Sequence, residues 1–333
     1  MPASESGLRR PVCLVTGATG AIGPAVVAAL AQTHDVRTFS LRPPERGTFA
    51  VPVTACVGDI SDRDAVRSAA RGADVIVHLA ALLHVVAPSA ALSGEYDRVN
   101  VSGTTAVIAA ALAEDVSRVV VMSSIAVYGY AASKGTLNED SPPRPDTLYA
   151  RSKLEAEQVA LSARRADGRP LTTVLRAAAV YGPRVKGNYD RLVHALARRR
   201  FVPIGSGDNL RTVIYEADLG SAVALAAGHE LAAGRVFNVS DGNLHPLREI
   251  IAAICEGLGR TAPGWHVPVA PARMAAKVAG RIDRRLPHML EKYLEQAAVD
   301  GSRIKDELGF RAATSLTEGW SATIAAMRRS GKL

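Results

Sequence analysis

The stretch Val15-Thr16-Gly17-Ala18-Thr19-Gly20-Ala21-Ile22-Gly23 lies near the start of the chain and holds three glycines spaced three residues apart. An apolar run from Val12 to Val15 precedes it, and good helix formers from Ala25 to Leu30 follow. A strand, a tight turn and a helix in this order create an anion site, because the first helical turn offers free N–H groups and the positive end of the helix dipole. The spacing indicates a diphosphate site, although glycines used only for turning and packing would give the same pattern.

The composition is that of a globular protein. The chain has 333 residues, 48% of them hydrophobic and 22% charged, which suffices for one large or two unequal domains. The first ten residues lack the apolar stretch of a signal peptide, and no apolar run is long enough to cross a bilayer. We therefore expect a cytoplasmic protein with no membrane partner.

The formal net charge of +8 suggests an anionic partner. The densest basic run, Arg198-Arg199-Arg200, has no interleaved aromatic residues, which is typical of a solvated helix end and not of a nucleic-acid surface. A phosphorylated small molecule fits the charge equally well. Cys13, Cys56 and Cys255 are spaced without relation to one another, so we expect small buried hydrophobes and no metal or disulfide.

Apolar runs alternate with helical segments through the first half of the chain. The runs are Val12–Val15, Val36–Phe39, Val53–Val57, Val75–Leu79, Val119–Met122 and Leu171–Leu175. This alternation predicts an α/β fold with a doubly wound parallel sheet that binds its ligand at the carboxyl ends of the strands. From Tyr181 the pattern becomes irregular, which predicts a smaller, loop-rich C-terminal lobe for the substrate.

Tyr149 and Lys153 lie four residues apart in a segment of good helix formers, so they share one helix face. The pKa of a free tyrosine lies near 10, and a nearby positive charge favours the phenolate. Tyr149 could then act as a general acid or base. YxxxK alone also describes an ordinary surface helix.

Two serines, Ser123 and Ser124, end the apolar run that precedes this helix. We expect both to face the ligand pocket, since they follow a strand at its carboxyl end. A hydroxyl there could hold a substrate oxygen, while helix capping is the alternative use.

In chain order, the glycine turn, the two serines and the YxxxK helix resemble the extended short-chain dehydrogenase/reductase superfamily, nearly end to end. The resemblance implies a Rossmann-type fold, an NAD(P) cofactor and a homodimer whose helices near Thr104–Glu114 and Ser152–Ala163 pair across a two-fold axis. It also implies a Rossmann domain of residues 1–182 and about 212–240, with a substrate lobe of about 183–211 and 241–333.

The resemblance implies cofactor contacts along the whole first half of the chain. "VGDISD" resembles the loop whose acid, here Asp59, holds adenine, and "YDRVNVSGT" places Asn100 near the active site. The implied cofactor residues are Gly17, Thr19, Gly20, Ala21, Ile22, Gly23, Ser40, Arg42, Asp59, Ile60, Leu79, Ala80, Ala81, Asn100, Ser123, Tyr149 and Lys153.

Within the superfamily, the stretch from Val180 to Tyr215 resembles nucleotide-sugar epimerases and 4-keto reductases of the NAD-dependent epimerase/dehydratase family. It implies that Asn188 and Arg211 hold the substrate diphosphate, for which the forked guanidinium of arginine is suited. As alternatives, Asn188 could cap a helix and Arg211 could be a charged residue on an edge strand.

Two departures from the family pattern refine this picture. Ser124 is followed by Ile125 and Ala126 where dehydratases carry an acidic pair, so the sequence disfavours 4,6-dehydration. The second strand ends near Ser40 and Arg42, where NAD-specific members carry an acid, and this favours NADP over NAD.

The sequence therefore predicts an enzyme that moves a hydride between nicotinamide and C4 of a nucleotide-linked hexose. Tyr149 exchanges the proton, Lys153 lowers the pKa of Tyr149 and holds the nicotinamide ribose, and Ser124 positions the substrate oxygen. Two alternatives stay open: a reductase or dehydrogenase of an uncharged ketone or hydroxysteroid, and a non-catalytic dinucleotide sensor, which the intact Ser-Tyr-Lys set disfavours.

Overall fold

The computed structural model describes residues 9–83, 92–129, 135–184, 186–281, 283 and 285–333. The strands in these ranges are β1 Val12–Thr16, β2 Asp35–Ser40, β3 Thr54–Val57, β4 Val75–His78, β5 Arg118–Ser124, β6 Thr172–Ala177, β7 Ala179–Tyr181, β8 Leu210–Arg211, β9 Val213–Tyr215, β10 Val236–Val239 and β11 His245–Pro246. The α-helices are α1 Gly23–Leu30, α2 Arg63–Ala70, α3 Leu92–Tyr96, α4 Gly103–Ala113, α5 Leu148–Ser162, α6 Asn188–Ala197, α7 Glu216–Gly228, α8 Leu247–Gly257, α9 Val269–Ala279, α10 Arg285–Leu294, α11 Ser302–Leu308 and α12 Leu316–Arg329. A π-helical segment, Asp97–Ser102, joins α3 to α4, and 3₁₀ turns cover Ile125–Tyr128 and Glu230–Ala232.

Seven parallel strands form one sheet in the order β10-β6-β5-β4-β1-β2-β3. This confirms the predicted doubly wound sheet, and its first six strands coincide with the six apolar runs. Two small pairs, β7 with β9 and β8 with β11, lie outside it. The chain after Tyr181 forms helices α6 to α12, so it contains more helix than its irregular pattern predicts.

The sheet has a crevice where its winding reverses. From β1 the chain runs outward through β2 and β3, then crosses back to β4 on the other side of β1. The loops after β1 and β4 therefore leave in opposite directions, which opens a ligand site at the carboxyl ends of these two strands. The glycine turn follows β1, and Leu79 follows β4.

Helices cover both faces of the sheet. Helices α1 and α7 pack on one face, with Val26 and Leu219 fully buried, and helices α2 and α4 pack on the other with Val66 and Val107. A third cluster, around the buried Trp320, lies between α6, α8 and α12. Burial on both faces explains why the strands have continuous apolar sequences. The predicted boundaries of the two lobes stay a prediction.

Local sequence fixes where two important helices begin. The Thr147 hydroxyl accepts a hydrogen bond from the Ala150 N–H at 3.1 Å and so caps α5. Ser315 and Glu318 form a reciprocal capping box that starts α12. The first cap matters for function, because it fixes the helical turn that carries Tyr149.

Two of the three cysteines are buried, as their apolar surroundings predict. All three are free, Cys13 and Cys255 are buried and Cys56 is half-buried, and burial raises the pKa of the Cys13 thiol to about 12. Within the described ranges, no three His, Cys, Asp or Glu side chains group as metal ligands would. Nor does this part of the chain contain a helix with the length and apolarity needed to cross a membrane.

Candidate active site

The glycine turn is packed against the loop that follows β4. Gly17 has a φ of +69°, and a Cβ added to it would lie 2.6 Å from the Ala80 Cα. Its N–H donates to the Phe39 carbonyl at 2.7 Å, which ties the turn to β2. A Cβ on Gly23 would lie 1.9 Å from the Ala18 carbonyl oxygen. Glycine is therefore required at both positions by backbone contact.

The open side of the turn offers free donors. Gly20 is exposed, and the backbone N–H groups of Ala21 and Ile22 donate to no described residue. Helix α1 begins directly after them, and no side chain caps it. Unpaired N–H groups at the positive end of a helix suit a diphosphate. The residues present thus fit the dinucleotide that the family resemblance implies.

The end of β2 lies beside this turn. The Ser40 hydroxyl accepts a hydrogen bond from the Thr19 N–H at 3.3 Å and is buried, whereas Arg42 is exposed. Ser40 is therefore already used to hold the turn. Arg42 remains available for an adenosine ribose or its 2′-phosphate, so the predicted preference for NADP rests on Arg42.

Asp59 follows β3 and stays charged at neutral pH. Its Oδ1 accepts hydrogen bonds from the Ser61 N–H at 2.9 Å and the Ser61 hydroxyl at 2.8 Å. Its Oδ2 accepts from Arg98 at 3.0 Å. These contacts, the Ser61 N–H first, lower the pKa of Asp59. The carboxylate is thus held in a fixed orientation at the end of the sheet, next to the buried Ile60.

Tyr149 and Ser124 come together where the end of β5 meets the start of α5. Their side chains are hydrogen-bonded. Burial raises the pKa of Tyr149 to about 12, and the Ser124 hydrogen bond opposes that rise only in part. Desolvation of the phenolate thus dominates, and Tyr149 is a neutral phenol at neutral pH. The lowered pKa predicted from Lys153 and an oxidised nicotinamide stays a prediction.

Lys153 lies one helical turn after Tyr149, and it is only 6% exposed. Burial lowers the pKa of Lys153 to about 8, and the negative charge of Glu157, one turn further on, opposes this shift. The ammonium form therefore still predominates at neutral pH. It supplies a positive charge on the helix face that carries Tyr149.

Glu157, on the same face of α5 as Tyr149 and Lys153, belongs to a buried hydrogen-bond network. It accepts hydrogen bonds from Arg176 Nη2 at 2.6 Å and from the Ser123 hydroxyl at 2.5 Å. Arg176 Nη1 in turn donates to the Tyr128 hydroxyl at 2.9 Å. The Ser123 hydroxyl is thus engaged by Glu157, and its predicted contact with the cofactor stays a prediction. Only Ser124 is directed to Tyr149.

A second buried chain of hydrogen bonds holds Asn100. His78 Nδ1 lies 2.8 Å from the Thr16 hydroxyl and Nε2 lies 3.1 Å from the Thr104 hydroxyl, which donates to the Asn100 carbonyl at 2.6 Å. Burial, followed by the charge of Lys153, lowers the pKa of His78 to about 3, so the ring is neutral. Since Thr104 already donates its only proton, Nε2 carries the imidazole hydrogen.

The Asn100 amide connects the loop after β4 to α5. Its Oδ1 accepts from the Leu82 N–H at 2.7 Å, and its Nδ2 donates to the Leu82 carbonyl at 3.1 Å and to the Ser152 hydroxyl at 2.9 Å. Asn100 lies in the π-helical segment and is buried. This amide orients the elements around the site, and its predicted contact with the cofactor stays a prediction.

A cavity of about 580 Å³ begins at Ser124 and extends between α6, α10 and α12. Asn188 and Arg211 line it together with Ser124. Its aromatic wall contains Tyr181 and Trp320, whose rings stack with centroids 4.4 Å apart. The structure thus brings the three predicted substrate residues to one cavity. Tyr149 is not among its lining residues but is hydrogen-bonded to Ser124.

Arg211 has a structural role as well as a cavity position. Its Nη2 donates to the carbonyls of Lys292 and Tyr293 at 2.8 and 2.9 Å, at the end of α10. A guanidinium has five N–H donors, and those on Nε and Nη1 bond to no described residue. Arg211 can therefore hold α10 and still contact an anion in the cavity.

Sequence reasoning missed the residues that support the site from beneath. His78, Glu157 and Arg176 bond to partners 19 to 62 residues away in the chain. A polar or charged residue that follows an apolar run, such as His78 after Val75–Val77 or Arg176 after Leu175, could have indicated them. A buried polar or charged side chain needs a partner, so each such residue implies a contact with a distant part of the chain.

Fold and site together define an NAD(P)-dependent enzyme of the extended short-chain dehydrogenase/reductase type. The chain belongs to the NAD dependent epimerase/dehydratase family, which matches residues 13–240. This confirms the resemblance predicted from the glycine turn and the YxxxK helix.

Relatives in this family span nearly the whole chain. The N-acetyl-α-D-glucosaminyl-diphospho-ditrans,octacis-undecaprenol 4-epimerase of Escherichia coli O157:H7 is 25% identical, and the UDP-glucose 4-epimerase of Vibrio cholerae is 28% identical; each match covers 93% of both chains. The structure of MoeE5 in complex with UDP-glucose and NAD is similar with a TM-score of 0.74 and 29% identity, covering 96% of this chain and 99% of that one.

Proposed function

We propose that this protein transfers a hydride at C4 of the hexose of a nucleotide sugar, as an epimerase or a 4-keto reductase. The observation that carries the proposal is the single cavity that has Ser124 near Tyr149 at one end and Arg211, with two free N–H sites, on its wall. One bound molecule could therefore exchange a proton near Ser124 and place its diphosphate at Arg211. The relatives named for sugar diphosphates, UDP-glucose and NAD support this choice.

The side chains divide the work of proton transfer. Tyr149 exchanges a proton with the C4 oxygen, and Ser124 positions that oxygen through its own hydroxyl. Lys153 supplies the positive charge that makes loss of the phenol proton less costly. The bound nicotinamide would accept or return the hydride and, when oxidised, add its own positive charge. Ala21 and Ile22 would hold its diphosphate, and Asp59 its adenosine.

A survey of products tests the proposal directly. The protein is incubated with a panel of nucleotide sugars and either NAD(H) or NADP(H), and the products are separated and weighed by mass spectrometry. A product of unchanged mass and different retention indicates epimerisation, and a gain or loss of two hydrogens indicates reduction or oxidation. Conversion of no nucleotide sugar, with conversion of an uncharged ketone, would overturn the proposal.

The uncharged-ketone reductase remains a second candidate for a specific reason. Arg211 Nη2 already donates to the carbonyls at the end of α10. Much of the cavity lining is apolar, including Ile125, Val180 and Met327. Such a site could hold a steroid or similar ketone without using the remaining guanidinium donors. Competition between UDP-hexoses and such ketones for the cavity separates the two candidates.

We infer that cofactor choice depends on Arg42. Its exposed guanidinium would attract a 2′-phosphate, whereas the related structure is named for NAD. The ratio of KM values for NADP and NAD, in the parent and in Arg42→Ala, decides the preference.

We also infer a homodimer through the outer faces of α4 and α5, on the family resemblance alone. Sedimentation at micromolar concentration tests it. The cytoplasmic location stays a prediction.

A further inference from the structure

The α9–α10 hairpin, formed by Val269–Ala279 and Arg285–Leu294, buries little of its surface. Helix α9 has no buried residue. Met274 is 72% and Val278 61% exposed, and on α10 Leu286 and Met289 are 39% and 45% exposed. The two helices pack against each other and are joined by the Arg273–Glu291 ion pair at 2.9 Å. Single exposed apolar residues are ordinary, but this small hairpin carries four of them, and Met274 and Val278 are adjacent on α9, which points to a partner.

Positive charge lies on the same face of α9 as the apolar side chains. Met274 and Val278 are one helical turn apart on α9, and Lys277 lies three residues after Met274, so these three are neighbours on the helix surface. Arg281 follows in the turn directly after the helix ends. All four are exposed. Glu291 neutralises Arg273, but neither Lys277 nor Arg281 has an acidic side chain as an ion-pair partner among the described residues. The surface is therefore both apolar and cationic.

This combination selects among three kinds of partner. A nucleic acid would use the cations but gain nothing from exposed Met and Val chains. A second copy of the chain, in a two-fold contact, would bring Lys277 and Arg281 of each molecule against their own counterparts, where like charges repel. A bilayer of anionic lipid satisfies both features, since the apolar side chains enter the interface and the cations remain at the phosphates.

We propose that the α9–α10 hairpin docks this protein on the surface of an anionic membrane. The sequence predicts no membrane partner because it lacks a spanning segment, but a peripheral surface needs only short amphipathic helices. Two exposed cations contribute about 1 kcal/mol each near an anionic surface, so we expect binding to anionic vesicles to exceed binding to neutral ones by about thirtyfold.

The hairpin also borders the candidate active site. His288, Met289 and Lys292 line the cavity that begins at Ser124, and Met289 is at the same time exposed on the hairpin. Docking would therefore turn one wall of the cavity toward the lipid. As a consequence that rests on the proposed function, the enzyme could accept a sugar whose diphosphate is attached to a lipid.

Vesicle co-sedimentation tests the docking without any substrate, so its result is independent of the proposed function. The full chain is mixed with vesicles of phosphatidylcholine alone or of phosphatidylcholine with phosphatidylglycerol. We expect about thirtyfold tighter binding to the second, weakened by high salt. The double variant Met274→Glu/Val278→Glu should lose binding, and Lys277→Gln/Arg281→Gln should lose about thirtyfold together with the salt dependence.

Leu231→Glu provides the matched control, because Leu231 is 64% exposed but lies far from the hairpin in sequence, in a 3₁₀ turn. It should bind vesicles like the parent, and thermal melting should show all variants folded. The proposal is overturned by absence of binding to anionic vesicles, by equal binding to both vesicle types, or by unchanged binding of the Met274/Val278 variant. Self-association that this variant abolishes, without vesicle binding by the parent, would instead assign the surface to a second copy.

Discussion

The floor of the active site and the α9–α10 hairpin are stabilised in opposite ways. At the floor, Glu157 is 1% exposed and Arg176 5%, and each bonds to several partners. In the hairpin the corresponding pair, Arg273 and Glu291, lies in solvent on helices with little buried surface. The residues that support Ser124 and Tyr149 are thus tightly bonded, whereas the α9–α10 wall of the cavity is held by few buried contacts.

The largest effect should come from the tightly bonded region. Tyr149→Phe removes the acid–base group, and we expect turnover to fall by about a hundredfold or more. Dinucleotide affinity should remain, because the glycine turn and Asp59 are untouched. Steady-state kinetics on the true substrate measures the loss. A variant within a few-fold of the parent would remove Tyr149 from its role.

Breaking the buried ion pair should lower stability strongly. Glu157→Gln leaves the buried Arg176 charge without its carboxylate, and Arg176→Leu leaves the buried Glu157 charge without its guanidinium. Each variant should lower the free energy of unfolding by about 3–5 kcal/mol. Arg273→Gln in the hairpin should change it little, because both partners there are hydrated. Denaturant titrations of the three variants make the comparison. Equal losses at both sites would contradict the contrast between the two regions.

Gly17 and Gly47 have similar backbone conformations but different surroundings. Comparing alanine substitutions at the two positions distinguishes the cost of backbone strain from the cost of a steric clash. Gly17 has a φ of +69° and Gly47 a φ of +80°, but nothing lies within 4 Å of a Cβ added to Gly47. Gly47→Ala should cost about 1–2 kcal/mol from its backbone alone. Gly17→Ala should cost about 1–3 kcal/mol more, because its Cβ meets the Ala80 backbone, and it should also weaken dinucleotide binding. Similar melting curves for the two variants would be evidence against the tight turn.

Lys153 should set the alkaline limit of activity. Burial lowers the pKa of Lys153 from 10.5 to about 8, so kcat/KM should fall above pH 8 as the ammonium is lost. Between pH 8 and 10.5 the unfolded chain holds a proton that the folded chain has released, so this group makes the free energy of unfolding rise with pH in that window.

Lys153→Met tests both effects of this lysine. The variant should lack the contribution to stability between those pH values, which urea titrations at several pH values would show by comparison with the parent. Parent activity that stays constant to pH 10, or the same pH dependence of stability in both proteins, would exclude the assigned role.

The sequence predicted the elements whose chemistry is local. The glycine turn, the Thr147-capped YxxxK helix and the parallel strands each follow from residues within one motif or one period. The supports of the site could not be predicted, since Glu157 meets Ser123 across 34 residues and His78 meets Thr16 across 62. No local spacing encodes such contacts.

The sequence also could not predict whether the pKa of Tyr149 is raised or lowered. The spacing to Lys153 indicates a lowered pKa, but the outcome depends on how much water the fold removes, and burial raises it. The same limit applies to Arg211, whose contacts with the end of α10 connect positions 81 and 82 residues apart.

Calorimetric titration of UDP and UDP-hexoses into cofactor-saturated protein tests the central claim most directly. Arg211→Ala should weaken binding by about 1.5–3 kcal/mol, roughly tenfold to a hundredfold, and Arg211→Lys should recover only part, because it lacks the fork. Asn209→Ala is the matched control: Asn209 Nδ2 donates to the Tyr293 and Glu295 carbonyls at 2.9 and 3.0 Å, and so holds the same segment from outside the described cavity lining. It should bind like the parent. Equal binding by Arg211→Ala and the parent, equal losses in Arg211→Ala and Asn209→Ala, or a parent that binds no nucleoside diphosphate, would contradict the nucleotide-sugar assignment.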